Sequence, residues 1–108
     1  MEIQTSQKHC IITPLSPKLD AYQASRLREE IKNYSNLSIG IDLSFAEDCT
    51  IEFIESFKTF GAGVFNIPSD IFSLFNIMSL DKSAALYVTE EDFLNDKHRL
   101  LNRKFSIV

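Results

Sequence analysis

The chain has 108 residues, with 15 acidic and 11 basic side chains and a formal net charge of −4. Its hydrophobic fraction of 44% and its nine Phe exclude a disordered tail, and its three Gly and three Pro exclude a collagen-like or linker-like chain. A chain of this length buries about two-thirds of its surface, which is enough for one ordinary core, so we expect a single domain over residues 1–108.

The first half of the chain alternates short apolar runs with an amphipathic helix. The run His9–Thr13 is rich in β-formers and is stopped by Pro14. Apolar residues at spacings of three, four and three predict a helix from about Asp20 to Tyr34. Strict alternation over Leu37–Phe45 predicts a strand with one apolar face, in which Ser38 and Gly40 are small enough to lie under a packed helix.

The middle of the chain repeats this order. Apolar residues predict a second helix over about Thr50–Phe60, and Gly61 is placed to end it in a left-handed conformation. Gly63–Ile67 is a short predicted strand. Ser69 or Asp70 is then expected to cap a third helix by accepting hydrogen bonds from free backbone amides.

The last third contains a predicted fourth strand, Ala84–Val88, followed by Thr89–Asp92, whose acidic residues are typical of a helix N-terminus. The buried side of that helix is expected from four residues: Phe93, Leu94, Leu100 and Leu101. Lys104–Val108 is a further predicted strand. The alternation predicts an α/β fold, with a mixed sheet of four to six strands and four helices mainly on one face.

Charge and hydropathy exclude two broad classes of function. The basic residues are scattered, so a nucleic-acid-binding face is not indicated. The densest basic group is interrupted by Leu100 and Leu101 and consists of Lys97, His98, Arg99, Arg103 and Lys104. No apolar run approaches the ~18 residues of a membrane span, and the N-terminal residues do not resemble a signal peptide. We therefore expect a cytoplasmic protein that does not insert into membranes.

No strong catalytic or metal-binding motif is present. Cys10 and Cys49 are far apart and are expected to be free thiols, with no metal site and no cofactor. Gly61–Gly63 follows a helix, whereas a phosphate-binding loop precedes one. Cys49 has two interpretations, a small apolar core residue or a reactive thiolate at a helix start, and acidic neighbours disfavour the thiolate.

Four stretches in a fixed order resemble the STAS domain (sulphate transporter and anti-sigma factor antagonist). Leu19-Asp20 resembles the entry to the family's first helix, and Ile39–Ser44 resembles its central strand, which commonly ends in Asp-Leu-Ser. Phe60–Phe65 matches the helix-to-strand turn. Ile71–Asp81 with Leu86-Tyr87 matches the third helix and the last strand. The resemblance covers about residues 8–96 and implies the STAS fold.

The resemblance breaks at the family's phosphoacceptor motif, Asp-Ser-Ser-Gly or Asp-Ser-Thr-Gly. A gap-free alignment from Asp-Leu-Ser places Thr50 on the Asp, Ile51 on the acceptor serine and Glu52 on the next residue. We prefer this register because it preserves the apolar pattern on both sides. A register with a shorter loop places Asp48 on the Asp and Cys49 on the acceptor, and leaves Thr50 as a possible phosphorylation site. Glu52 is a candidate for a permanent negative charge.

The resemblance implies a non-enzymatic interaction module of the anti-sigma factor antagonist kind, which binds an anti-sigma factor or switch-type protein kinase in a bacterial cell and so regulates transcription. The expected contact residues are Ser44, Asp48, Cys49, Thr50, Ile51 and Glu52, beside the turn after Pro14. Phosphoregulation is expected to be degenerate, and a homodimer is possible. Two alternatives are an accessory STAS subunit of a lipid-trafficking or other transporter and a small thiol enzyme that uses Cys49.

Overall fold

The computed structural model describes residues 1–101, so the strand expected over Lys104–Val108 lies outside the described residues. Strands and helices alternate through most of this range. In chain order they are β1 (Glu2–Thr5), β2 (His9–Thr13), β3 (Lys18–Leu19), α1 (Ala21–Lys32), β4 (Ser38–Asp42), β5 (Asp48–Cys49), α2 (Ile51–Phe57), β6 (Gly63–Phe65), α3 (Ser69–Ile77), a short 3-10 helix (Leu80–Lys82), β7 (Ala85–Leu86) and α4 (Glu90–Asn95).

The main sheet has five strands in the order β1-β2-β4-β6-β7. β1 pairs antiparallel with β2, and the other neighbours are parallel, so the predicted mixed sheet is confirmed. β3 and β5 form a separate two-stranded parallel ribbon. Because α2 connects the parallel strands β4 and β6, it starts at the edge of the sheet where the strands end, which we call the carboxyl edge.

Alternating strand residues face two different helical layers. One cluster joins α1, α2 and α3 to the sheet and contains the strand residues Cys10, Ile12, Ile39, Ile41, Val64 and Leu86. The intervening residues face α4 in a smaller cluster, which consists of Ile11, Phe65, Tyr87 and Phe93. Three helices therefore cover one face, and α4 covers part of the other, as the prediction of helices mainly on one face requires.

Phe93 is the side chain through which α4 contacts the sheet. Its ring stacks on Phe65 with centroids 5.5 Å apart and meets Tyr87 edge-on at 5.8 Å. A Cβ added at Gly40 would lie 2.5 Å from the Phe93 ring, and one added at Gly63 would lie 3.0 Å from it. The prediction that Gly40 lies under a helix is therefore confirmed, because the ring occupies the space of the absent side chain. Ser38, for which the same was expected, is exposed.

Helix starts follow the predicted capping chemistry in three of four cases. Asp20, Thr50 and Thr89 each accept a hydrogen bond from the backbone N–H three residues ahead, at 3.1 to 3.2 Å. The cap predicted for α3 is wrong, because Pro68 occupies the cap position without a side-chain hydrogen bond and Ser69 is already helical. Proline's fixed φ suits that position.

Five predicted elements end earlier than expected: α1 at Lys32, β4 at Asp42, α2 at Phe57, β6 at Phe65 and β7 at Leu86. β4 stops at Asp42, whose carboxylate accepts a 2.9 Å hydrogen bond from the Ser44 N–H and turns the chain. Phe45, predicted on the buried face of that strand, is consequently 52% exposed. α2 ends at Phe57, and Gly61 is left-handed as predicted, with φ +67°, but lies beyond the helix cap rather than at it.

The C-terminal part departs most from expectation. α4 ends at Asn95 because Asp96 adopts φ +48°, and of the four residues expected on its buried side only Phe93 is buried. Leu94 is exposed on the helix, and Leu101 is exposed beyond it. Leu100 forms an isolated antiparallel bridge with Leu86, through an N–H to O bond of 2.8 Å.

β1 was not predicted at all. Glu2–Thr5 carries one apolar residue among three polar ones, so the sequence has no strand pattern there, and the strand exists because it pairs with β2. No helix within residues 1–101 combines the length and apolar character that a membrane span requires.

Candidate functional site

The β3–β5 ribbon brings the starts of α1 and α2 together. Lys18 pairs with Asp48 and Leu19 with Cys49, and the Thr50 N–H donates to the Leu19 carbonyl at 2.9 Å. The Pro17 carbonyl accepts from the N–H groups of residues 47 and 48 at 2.7 and 3.0 Å. The turn after β2 and the segment before α2 therefore form one backbone-bonded unit.

The start of α2 presents three different kinds of side chain. Thr50 is half-buried, and its Oγ1 accepts the Phe53 N–H at 3.2 Å, which closes the first turn. Ile51, the first helical residue, is 61% exposed. Glu52 is exposed beside it, where a negative charge interacts favourably with the helix dipole.

Cys49 is a core residue in this structure. It is 6% exposed and packs in the main cluster. Burial, and secondarily the neighbouring Asp48 carboxylate, raise the pKa of its thiol to about 12. A thiol with this pKa is protonated at neutral pH, which opposes its use as a thiolate nucleophile.

Three polar side chains bond to one another where β4 and β6 end. The Asp42 carboxylate oxygen Oδ1 accepts hydrogen bonds from the Ser44 N–H at 2.9 Å, the Ser44 hydroxyl and the Asn66 amide at 3.0 Å. The Asn66 amide also donates to Ser44 Oγ at 3.3 Å. We call Asp42, Ser44 and Asn66 the polar clamp. Ser44, predicted as a contact residue, is exposed at this edge.

Exposed apolar side chains concentrate at the carboxyl edge. Of eight large apolar residues exposed within residues 1–101, five follow a strand or begin a helix there: Leu15, Tyr22, Phe45, Ile51 and Val88. The exposed acidic residues Glu47, Asp48 and Glu52 lie in the same part of the chain as Phe45 and Ile51. We define the carboxyl-edge surface as Leu15, Ser44, Phe45, Glu47, Asp48, Thr50, Ile51 and Glu52.

Sequence reasoning placed six contact residues together, and they lie at this edge: Ser44, Asp48, Cys49, Thr50, Ile51 and Glu52. Cys49 is buried, so its side chain is not part of the exposed surface. Sequence reasoning missed Phe45, which the alternation assigned to the core. The signal that would have found it is Asp42-Leu43-Ser44, since Asp followed two residues later by Ser favours a side-chain turn that ends a strand. A groove of about 530 Å³ lies elsewhere, lined by residues such as His9, Ala62 and Arg99, and none of the predicted contact residues lines it.

Within residues 1–101, no group of three or more His, Cys, Asp or Glu side chains is arranged to hold a metal ion. The arrangement at the carboxyl edge has backbone-fixed segments, exposed apolar side chains and acidic neighbours. It is suited to contact with another protein.

The five-stranded mixed sheet with four helices is an α/β fold of the STAS type. Among solved structures, the chain is similar to the Bacillus cell fate determinant SpoIIAA in its phosphorylated form, with a TM-score of 0.53 and 11% sequence identity. The match covers 88% of this chain and 96% of SpoIIAA. No protein-family model and no curated protein matches the sequence. At this identity the similarity establishes the fold.

Proposed function

We propose that this chain is a non-enzymatic, cytoplasmic interaction module of the anti-sigma factor antagonist kind, which docks an anti-sigma factor or switch-type kinase on its carboxyl-edge surface. Sequestering that partner would free a sigma factor and so regulate transcription. The observation that carries the proposal is the first turn of α2, which presents Ile51 to solvent between acidic residues on a STAS-type fold.

Degenerate phosphoregulation is part of the proposal. The gap-free register is supported by Thr50 at the helix cap and by Ile51 at the first helical position, where the family has its acceptor serine. The competing acceptor, Cys49, is buried. Thr50 remains the one candidate for phosphorylation in this segment, but its hydroxyl oxygen already accepts the cap hydrogen bond.

The chemistry of the surface specifies the partner. Exposed apolar side chains favour an apolar contact, because removing about 100 Å² of such surface from water contributes about 2.5 kcal/mol. The acidic residues Glu47, Asp48 and Glu52 favour a partner with Lys or Arg around that contact, which raises the association rate and improves selectivity.

Site-specific photo-crosslinking in the native cell tests the proposal. A benzoylphenylalanine is placed at Ile51 and, as a matched control, at Ile77, which is 70% exposed at the end of α3. We expect the Ile51 probe to capture a protein with an ATP-binding kinase domain, and the Ile77 probe not to capture it. Capture of a transporter ATPase would support the accessory-subunit alternative instead, and equal capture at both positions would contradict docking at the carboxyl edge.

Binding measurements with purified proteins then show how much Ile51 contributes to the affinity for the captured kinase. Ile51→Asp is expected to weaken binding of the captured kinase at least about tenfold, because the charge is buried in an apolar contact. Ile77→Asp is expected to bind like the wild type. Intact-mass measurement after incubation with the kinase and ATP tests regulation: we expect no added phosphate, and a phosphate on Thr50 would show that regulation is retained.

A further inference from the structure

We infer that Phe45 is the apolar anchor of the carboxyl-edge surface, and that Asp42 and Asn66 are positioning residues that hold it in solvent. This inference rests on the proposed function and adds to it, because Phe45 is not among the contact residues expected from the sequence. The proposed occupant is a protein with an apolar pocket rimmed by Lys or Arg side chains.

The first argument is the location of Phe45 in a tight turn. The Ala46 N–H donates to the Leu43 carbonyl at 3.1 Å, so residues 43–46 form a hydrogen-bonded turn with Ser44 and Phe45 at its tip. Gly, Asn, Asp, Ser and Pro dominate such positions, for reasons of backbone conformation. A Phe that is 52% exposed there leaves about half of its surface in water, whereas a partner pocket would bury that surface.

The second argument is that the turn is fixed on both sides. Leu43 and Ala46 are buried, and the Leu43 N–H donates to the Phe65 carbonyl at 3.1 Å. The ring is thus attached to a short segment between two core residues. Little conformational freedom remains to be lost when a partner binds, which favours affinity.

The third argument is the polar clamp at the tip of the turn. Asp42 accepts from Ser44 and from Asn66, which joins the turn to the end of β6. Asn66 has φ +55°, a conformation that Asn tolerates better than most residues and that aims its amide at Asp42. The clamp holds the chain in the turn, although the apolar alternation would have continued the strand and buried Phe45.

Charge defines the occupant. Glu47 and Asp48 follow the turn directly and are exposed, and the exposed Glu52 lies in the first turn of α2. The cation on the neighbouring strand is Lys18, in register with Asp48. The three carboxylates outnumber this single ammonium group, so the pocket that receives Phe45 is expected to carry basic groups at its rim.

A tryptophan reporter tests the positioning role without a partner. The chain has no Trp, so Phe45→Trp gives one fluorophore at the turn. Asn66→Gly keeps the left-handed backbone and removes the amide, and Ser79→Gly is the matched control at another residue with φ +55°. We expect Asn66→Gly to lower the Trp anisotropy and Ser79→Gly to leave it unchanged. Equal anisotropy in all three proteins overturns the positioning role.

Binding to the captured kinase tests the anchor. Phe45→Ala is expected to weaken binding at least about tenfold and Asn66→Gly less, about threefold, while Ile77→Ala has no effect. Cooperative urea unfolding of each variant shows that it remains folded. If Phe45→Ala binds like the wild type and Ile51→Asp binds weakly, the inference that Phe45 is the apolar anchor is wrong, and the proposed function is still supported. Wild-type binding by both variants contradicts the carboxyl-edge surface itself.

Discussion

Gly40 and Phe93 show how the absence of one side chain lets a helix pack closely against a sheet. The Phe93 ring lies where the Cβ of residue 40 would be, at 2.5 Å, and it also covers Gly63. α4 has six residues and one buried side chain, so its attachment to the sheet depends on this contact. The pair is therefore a place where a single methyl group should have a measurable effect on stability.

We predict that Gly40→Ala lowers the free energy of unfolding by about 1–3 kcal/mol, because the added methyl displaces the Phe93 ring from a packed position. The double variant Gly40→Ala/Phe93→Leu should be more stable than the sum of the two single effects, since a smaller side chain relieves the clash. Urea unfolding of the four proteins measures this coupling.

Gly61→Ala is the control for that cycle. Nothing lies within 4 Å of an added Cβ there, but φ is +67°, so the substitution costs about 1 kcal/mol through backbone strain alone. Its effect should add to that of Phe93→Leu without coupling. Additive behaviour at Gly40 as well would contradict the proposed contact between ring and backbone.

The raised pKa of Cys49 gives a pH prediction. The thiol titrates near 9 when unfolded and near 12 when folded, so between these values the unfolded chain binds fewer protons and folding loses stability as pH rises. Below pH 9 this contribution is fully present. The loss should approach about 1.4 kcal/mol for each pH unit above 9.

Urea midpoints measured between pH 8 and 10.5 check this sign in the wild type and in Cys49→Ala. The variant should lose less stability over that interval, although it starts from a lower value because a buried sulfur is removed. Parallel pH profiles for the two proteins would show that Cys49 does not titrate differently in the folded and unfolded states.

At the scale of elements, the starts of α1, α2 and α4 were predictable because capping is local chemistry. Asp20, Thr50 and Thr89 accept bonds three residues ahead, and no distant residue is needed. β1 was not predictable because its own residues have no strand pattern and its pairing with β2 stabilises it. Phe45 was misassigned because the apolar alternation over residues 37–45 outweighed the local turn signal of Asp42-Leu43-Ser44, and the hydrogen bond that Asn66 adds to this turn comes from 21 residues further along the chain.

The cap of α2 also gives a stability prediction. Thr50→Ala should lower the free energy of unfolding by about 1 kcal/mol, because the Phe53 N–H loses its acceptor, whereas Thr50→Asp retains one. Thermal unfolding measures both. Thr50→Asp should remain folded and yet change kinase binding by placing another charge on the carboxyl-edge surface, which separates capping from docking. Equal destabilisation by Ala and Asp would contradict the capping role.

At the scale of the whole molecule, the candidate site depends on pairings that the sequence does not signal. β3 and β5 have two residues each, too few for a recognisable pattern, yet they align the turn after β2 with the start of α2. The order of apolar and polar segments was sufficient for the α/β sheet, because that order repeats over the whole chain. The grouping of Leu15, Phe45 and Ile51 at one edge became visible only from the three-dimensional fold.

The uneven charge of the molecule leads to a kinetic prediction. With a net charge of −4 and exposed carboxylates at Glu47, Asp48 and Glu52, a basic partner should be steered to the carboxyl edge. We expect the association rate with the captured kinase to fall at least about tenfold between 20 and 300 mM salt, because screening shortens the reach of these charges. The dissociation rate should change much less.

Two charge-matched variants locate this effect on the surface. Glu47→Gln/Glu52→Gln should slow association and flatten its salt dependence, because two carboxylates leave the carboxyl edge. Glu29→Gln/Glu55→Gln removes the same charge from later turns of α1 and α2, where each residue pairs with a lysine, and should bind nearly as the wild type does. Stopped-flow association measures both. An equal change in the two variants would mean that net charge alone attracts the partner, whereas a change confined to the first assigns the attraction to the edge that presents Phe45 and Ile51.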